Sequence, residues 1–333
     1  MIISLFELEP FEKTFFRKEF KGHTLRFEDG PLTTRNVHKH KNAQVLVVFI
    51  LSKVNCSVLD RLPKLKLITT MSTGYDHIDL EAAKKHGVRV SRVPVYGQNT
   101  VAEHAFALIQ ALNRHIVEAV SRTRLGNFNY HELMGHDLAS QTLGIIGTGH
   151  IGEYMIRYAK SFGMRVLAYD AYPRKDLAKT YGFRYTSLNE LYKKSDIISL
   201  HVPLFPQTHH ILDNAAFSKM KKGVLIINTG RGPLIDTKEL IRALDNKTVG
   251  GAALDVLELE GDLQQETKLA LSLHSDKRRL ATIVENHDLI FRPNVIITPH
   301  LAFYTQEALA RILKTTVQNI RGHQHKRYKN TVC

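Results

Sequence analysis

The segment "INTGRGPLID" sets Arg231 between two glycines, directly after the apolar run "GVLII". A guanidinium carries a rigid fork of N–H donors that matches a carboxylate with two parallel hydrogen bonds, whereas a lysine would supply only a point charge. Three further polar groups stand at the ends of apolar segments: Asp255 and Glu260 in "GGAALDVLELEG", and His300 in "NVIITPHLAFYT". Together they offer an anion clamp, two carboxylates and an imidazole that can hold or release a proton near neutral pH. Each also has a plainer reading: His300 as a core residue behind Pro299, Asp255 as a strand-end cap, and Glu258 as a surface neighbour of Glu260. In an open parallel sheet, ligands bind beyond the carboxyl ends of the strands, so these residues are candidates for one crevice.

A second constellation precedes them. In "TLGIIGTGHIGEYMIRYAKSFGMRVLAYD", Gly147, Gly149 and Gly152 form G-x-G-x-x-G between a strand pattern and a helix pattern. The first glycine permits a tight turn, the second lets backbone approach a pyrophosphate, and the third lets helix and strand pack closely. The helix N-terminus then faces the anion. Asp170 ends the next apolar strand about 20 residues on, where a carboxylate accepts from an adenosine ribose diol. A 2′-phosphate would meet that negative charge uncompensated, so NAD is favoured over NADP, although Arg174 stands near enough in sequence to soften the point.

Positioning these groups takes a particular scaffold. The runs "AQVLVVFI", "LKLITT", "VRVSRV", "TLGIIG", "RVLAYD", "DIISLHV", "GVLIIN" and "NVIITPH" alternate with amphipathic helical patterns. That alternation predicts an α/β fold with parallel, doubly wound sheets. The glycine turn begins only at Gly147, so another domain folds ahead of it. "TVAEHAFALIQALNRHIVEAVSRTRLG" predicts one long connecting helix through Ala102, Ala105, Leu108, Ile109, Leu112 and Ile116. "TQEALARILKTTVQNI" predicts a closing helix capped by Thr305. The expected organisation is a substrate domain of residues 1–100 and 300–333 around a nucleotide domain of residues 101–299. Residues 261–292 are charged and partly helical in pattern and are left unassigned.

Composition narrows the rest. A chain of 333 residues suits two domains. No apolar stretch approaches the roughly 20 residues of a membrane span. "MIISLFELEP" lacks a basic leader and a cleavage site, so the cytoplasm is the expected location. Two cysteines suggest no disulfide framework. The His pairs at 38/40, 209/210 and 323/325 have no ligand company at a recognisable spacing, so no metal is expected. The net charge of +14 is spread through several segments without a nucleic-acid-binding motif, which favours a field that attracts small anions over a nucleic-acid partner. The chain also lacks the Tyr-x-x-x-Lys pair of short-chain alcohol dehydrogenases.

The blocks "STGYDHID", "VPVYGQNTVAEH", "LGIIGTGHIG", "SLHVPL", "NTGRGPLIDT", "AALDVLELEG" and "TPHLAFYT" together resemble the D-isomer-specific 2-hydroxyacid dehydrogenases, most closely their D-lactate dehydrogenase branch. The likeness covers most of residues 68 to 306. It implies a Rossmann domain inserted in a flavodoxin-like substrate domain, with the site in the cleft between them, and a homodimer. It further implies that Arg231 binds the substrate carboxylate, that His300 donates the proton and that Glu260 orients His300. Hydride arriving at C2 leaves charge on oxygen, so a cationic donor there stabilises the transition state and supplies the proton. By the same resemblance, the cofactor is held by Gly147, Gly149, His150, Ile151, Gly152, Asp170, Val202, Pro203, Thr208, Thr229, Gly230, Arg231 and Asp255. The substrate would meet Thr73, Gly74, Tyr96, Arg231 and Tyr304. Met71 stands where many relatives carry Arg, and Gly97-Gln98 where they carry Ser-Pro, which leaves substrate size open. The expected reaction is NAD-dependent reduction of a small 2-oxo acid such as pyruvate. The alternatives are a larger 2-oxo acid, hydroxypyruvate or glyoxylate, or a non-catalytic NADH-sensing protein like the corepressor relatives of this family.

Overall fold

The computed structural model describes residues 1–263 and 277–333, which form two compact units: Met1–Gly97 with Tyr304–Cys333, and Gln98–Phe303. In the first, β1 (Ile2–Phe6), β2 (Thr24–Glu28), β3 (Val45–Val48), β4 (Leu67–Thr70) and β5 (Arg89–Ser91) pair in the order β2-β1-β3-β4-β5, all parallel. This is the flavodoxin-like order. The N-terminal "IISLF" is therefore a core strand, with Ile3, Leu5 and Phe6 fully buried. Helices α1 (Pro10–Glu19), α2 (Cys56–Leu59) and α3 (Leu80–Lys85) belong to the same unit.

The C-terminal helix Gln306–Gln324 closes this unit, packing on β4 and α1. Thr305 caps it, its hydroxyl accepting from the Ala308 N–H at 3.2 Å. Asn319, almost wholly buried, donates to Thr69 Oγ1 and to the Arg92 carbonyl. The tail then returns beside β5, where the Val90 N–H donates to the Cys333 carbonyl and the Val332 N–H to the Val90 carbonyl.

The second unit holds β6 (Thr142–Ile146), β7 (Arg165–Tyr169), β8 (Arg184–Tyr185), β9 (Ile197–Leu200), β10 (Val224–Asn228), β11 (Val249–Leu254) and β12 (Val295–Ile297). Their order is β12-β11-β10-β9-β6-β7-β8, all parallel. The order reverses between β6 and β9, the switch point of a Rossmann sheet. Apolar cores line both faces, as a fully covered parallel sheet requires.

One expected element is split. Instead of a single connector there are two helices, α4 (Gln98–Asn113) and α5 (Ile116–Arg124), broken at His115 with φ +51°. Ala102, Ala105, Leu108, Ile109 and Leu112 are buried on α4, whereas α5 buries nothing and Ile116 is 48% exposed. The apolar period thus runs on past the end of the buried face. Within the unassigned stretch 261–292, residues 277–290 form a helix, and residues 264–276 lie outside the described residues.

Candidate active site

β10, β11 and β12 are adjacent and parallel, so the segments that follow them leave the sheet on one edge. Those segments carry Arg231, Glu260 and His300. His300 Nδ1 lies 2.7 Å from Glu260 Oε1, with the side chains 21% and 33% exposed. The pair is half-sheltered yet reachable. His300 adopts φ +54°, a left-handed conformation that costs a non-glycine residue about 1 kcal/mol or more. Its N–H donates to the Asp255 carbonyl at 2.9 Å and the Thr298 carbonyl at 3.0 Å.

Asp255 explains how that conformation is held. It is completely buried, and Oδ1 accepts from Thr298 Oγ1 at 2.5 Å and from the Leu301 N–H at 2.9 Å. Oδ2 accepts from the Ala302 N–H at 2.9 Å. His104 on α4 adds Nε2 at 3.6 Å from Oδ1. A buried carboxylate with several donors is stable only as a unit, so this one ties residues 298–302 to the end of β11. Its two oxygens serve the loop that presents His300.

Glu258 is no surface residue. Its side chain is 16% exposed, with Oε1 2.9 Å from His210 Nε2 and Oε2 accepting from the Thr237 N–H and hydroxyl. It braces the helix Thr237–Asp245, while Glu260, two residues on, faces His300.

The Arg231 turn is stapled by Asn228, which the motif alone did not single out. Asn228 Nδ2 donates to the Arg231 carbonyl at 2.8 Å, and its Oδ1 accepts from the Gly230 N–H at 3.0 Å. The Arg231 guanidinium donates to the Gly230 carbonyl at 2.9 Å. Gly232 is demanded by a chain crossing: a Cβ there would lie 2.1 Å from the Leu257 carbonyl carbon.

At the glycine turn, Gly147 has φ +98° and its N–H donates to the Tyr169 carbonyl at 2.8 Å. A Cβ on it would lie 2.7 Å from the His201 backbone, and one on Gly152 would lie 2.1 Å from the Gly147 carbonyl oxygen. A Cβ on Gly149 would meet nothing within 4 Å. Gly149 is the N-cap of α6 (His150–Ser161) and supplies no side-chain cap. The first turn, whose N–H groups include those of His150, Ile151 and Gly152, is thus a helix N-terminus without a side-chain cap, the kind of end that suits a pyrophosphate.

Asp170 accepts from the Thr148 N–H at 2.6 Å and hydroxyl at 2.9 Å through Oδ2, and from the Tyr172 N–H through Oδ1. It therefore shapes the turn. Arg174 is engaged by Glu153 at 2.9 Å. Thr229 Oγ1 is buried without a hydrogen-bond partner among the described residues, an orphan that a bound nicotinamide nucleotide would satisfy. Val202 is half-buried and Pro203 exposed beyond β9, and the Thr208 hydroxyl holds that loop by donating to the Pro203 carbonyl at 2.7 Å. The donor set and the uncapped helix end fit a dinucleotide.

In the first unit, Thr73 Oγ1 donates to the Val93 carbonyl, Arg92 donates to the Thr73 carbonyl and Ser72 to the Gly74 carbonyl. Tyr96 accepts at its carbonyl from Arg311. Tyr304 is half exposed, and partial burial with Glu9 and Glu12 nearby raises its phenol above the ordinary range. Met71 is buried.

Comparison with known proteins follows the same lines. The family described as "D-isomer specific 2-hydroxyacid dehydrogenase, NAD binding domain" matches residues 106–302. A 2-hydroxyacid dehydrogenase homolog of Zymomonas mobilis is 40% identical, and the D-lactate dehydrogenase of Escherichia coli 39%, each over 96% of both chains. The crystal structure of a D-lactate dehydrogenase from Aquifex aeolicus, complexed with NAD and lactic acid, superposes with a TM-score of 0.87 at 36% identity, covering 98% of this chain and 96% of that one.

Proposed function

The chain belongs to the D-isomer-specific 2-hydroxyacid dehydrogenases and binds NAD, and we propose from its own residues that it reduces a small 2-oxo acid, pyruvate foremost, to the D-2-hydroxy acid. The observation that carries this reading is the His300–Glu260 pair at 2.7 Å on the sheet edge that also carries Arg231. When bound, the reduced nicotinamide supplies the hydride. Arg231 grips the carboxylate with its paired donors, which fixes which face of C2 is offered. Glu260 occupies Nδ1 of His300, so Nε2 is left to hold the proton and give it to the forming alkoxide. The charge of a protonated His300 stabilises oxygen as electrons arrive there.

The cofactor would rest on the first turn of α6, with Asp170 at the adenosine ribose, Val202, Pro203 and Thr208 beside it, and Thr229, Gly230 and Asp255 at the nicotinamide side. Thr73, Gly74, Tyr96 and Tyr304 are proposed substrate contacts on the strength of their motifs. The protein is proposed to be cytoplasmic, with both cysteines free of disulfides, and homodimeric. Dimerisation is supported by Ile116, Val117, Leu125, Phe128 and Met134, which leave a succession of apolar side chains exposed.

The test is a chiral product assay with pyruvate and NADH, followed by kcat/KM for pyruvate, 2-oxobutyrate, phenylpyruvate, 2-oxoisocaproate and hydroxypyruvate. D-lactate with the highest kcat/KM for pyruvate is the expected outcome. A larger acid at the top of that series would move the substrate assignment, and NADH binding without turnover of any of them would refute the reaction.

A further inference from the structure

Outside the dehydrogenase site, three ligand-bearing side chains meet on the surface of the first unit. Cys56 opens α2 and Asp60 follows it by four residues, which places both on one helix face. His86 ends α3. Cys56 Sγ lies 3.8 and 3.9 Å from the two Asp60 carboxylate oxygens, and His86 Nε2 lies 2.9 Å from Asp60 Oδ1. One ligand atom from each residue falls within 4.8 Å of the others.

The histidine ring is held in a defined orientation. Its Nδ1 is 2.8 Å from the Ala82 carbonyl, which can only accept, so Nδ1 carries the proton. In the neutral ring Nε2 then presents a lone pair to Asp60 Oδ1, and two acceptors at 2.9 Å need a cation between them. A proton is one answer and a metal ion the other. A backbone carbonyl on the far ring nitrogen is the support that metal-binding histidines commonly use to fix tautomer and orientation. Two of the three separations are close to those of a metal site. Tetrahedral zinc with sulfur at about 2.3 Å and nitrogen or oxygen at about 2.0–2.2 Å sets its ligands roughly 3.4–3.6 Å apart. The sulfur–oxygen separations are within a few tenths of that, and the oxygen–nitrogen one opens by about 0.5 Å through rotation of exposed side chains.

We propose that Cys56, Asp60 and His86 form a zinc site that ties α2 to α3, with water in the fourth position. Sulfur, nitrogen and oxygen donors in a tetrahedral arrangement select zinc over magnesium or calcium, which take oxygen. Binding forms the sulfur–metal bond as the Cys56 thiol releases its proton to solvent, and the nitrogen–metal bond as the proton between His86 Nε2 and Asp60 leaves likewise, with no change of oxidation state. The site is independent of hydride transfer.

The full-length protein titrated with Co2+ under a phosphine reductant tests this. A thiolate-to-cobalt charge-transfer band saturating at one ion per chain, and bleached by Zn2+, is expected. Cys56→Ser should abolish the band, and Cys333→Ser should keep it. His86→Gln should weaken Zn2+ binding by roughly 100-fold or more, beyond the loss from a merely supporting partner. Zn2+ should raise the Tm of the unaltered protein but not of Cys56→Ser, since only a folded-state ligand stabilises by mass action. Cobalt bound without the sulfur band would place the ion elsewhere, for instance at His209, His210 and Glu258, and would overturn the proposal. A band that survives Cys56→Ser would overturn it equally.

Discussion

Under the proposed reaction His300 and Glu260 divide their labour by nitrogen atom: Nδ1 is committed at 2.7 Å, which would leave proton delivery to Nε2. His300→Gln should lower kcat by about 10²-fold or more, the range for a positioned acid, while leaving NADH affinity within a few-fold. Glu260→Gln should lower kcat less, because a neutral acceptor still orients the ring. Glu258→Gln makes the informative contrast. Its carboxylate serves His210 and Thr237, so steady-state kinetics should stay near wild type while urea unfolding loses about 1–3 kcal/mol. If Glu258→Gln damaged kcat more than Glu260→Gln, the two roles would be reversed. Asp170→Asn keeps an acceptor for the Thr148 N–H but removes the charge, so kcat/KM with NADPH relative to NADH should rise by roughly tenfold, about 1.4 kcal/mol. An unchanged ratio would show that Asp170 only braces the turn.

At the scale of elements, much was legible because period and chemistry agreed. The strand–turn–helix around Gly147, the cap at Thr305 and the carboxyl-end positions of Arg231, Glu260 and His300 follow from local pattern. What escaped depends on contacts between distant segments. Apolar spacing ran across His115 because exposed Ile116 and Val120 continue the period without a surface to bury against. β1 hid because an apolar chain start carries no alternation. Gly232 has no local reason in its motif, and the Leu257 backbone beneath it supplies one. Gly232→Ala should therefore cost about 3 kcal/mol of stability, as overpacking against backbone does, measurable as a lowered urea midpoint. Beyond β9, His201 gives another prediction. Burial drives its imidazole down to about 3, although the residue as a whole is only half-buried, with the Ser199 hydroxyl 2.8 Å away. Below the ordinary value of about 6.5 the unfolded chain takes up a proton that the folded one refuses until about 3. Its stabilising contribution is thus full above pH about 6.5 and falls by up to about 1.4 kcal/mol per unit as pH drops towards 3. Urea midpoints across that window should flatten in His201→Asn, and an unaltered slope would exclude the residue.

For the whole molecule, composition spoke to encounter and left fold to the pattern of strands and helices. A net charge of +14 on a 333-residue chain produces a field that concentrates small anions, and a 2-oxo acid is one. The field reaches about 30 Å at 0.01 M salt but only about 8 Å at 0.15 M. Charges scattered over the surface act through that reach, whereas Arg231 in its proposed role would act by contact and be screened far less. Raising ionic strength between those limits should therefore increase KM for pyruvate several-fold while kcat stays constant, since the chemical step lies within the site. A neutral inhibitor of similar size serves as the control, because its affinity should not follow the salt. A salt-independent KM would mean that the basic surface has no part in substrate capture and that Arg231 alone supplies the attraction; a salt-dependent kcat would mean instead that a charge movement outside the reacting atoms limits turnover.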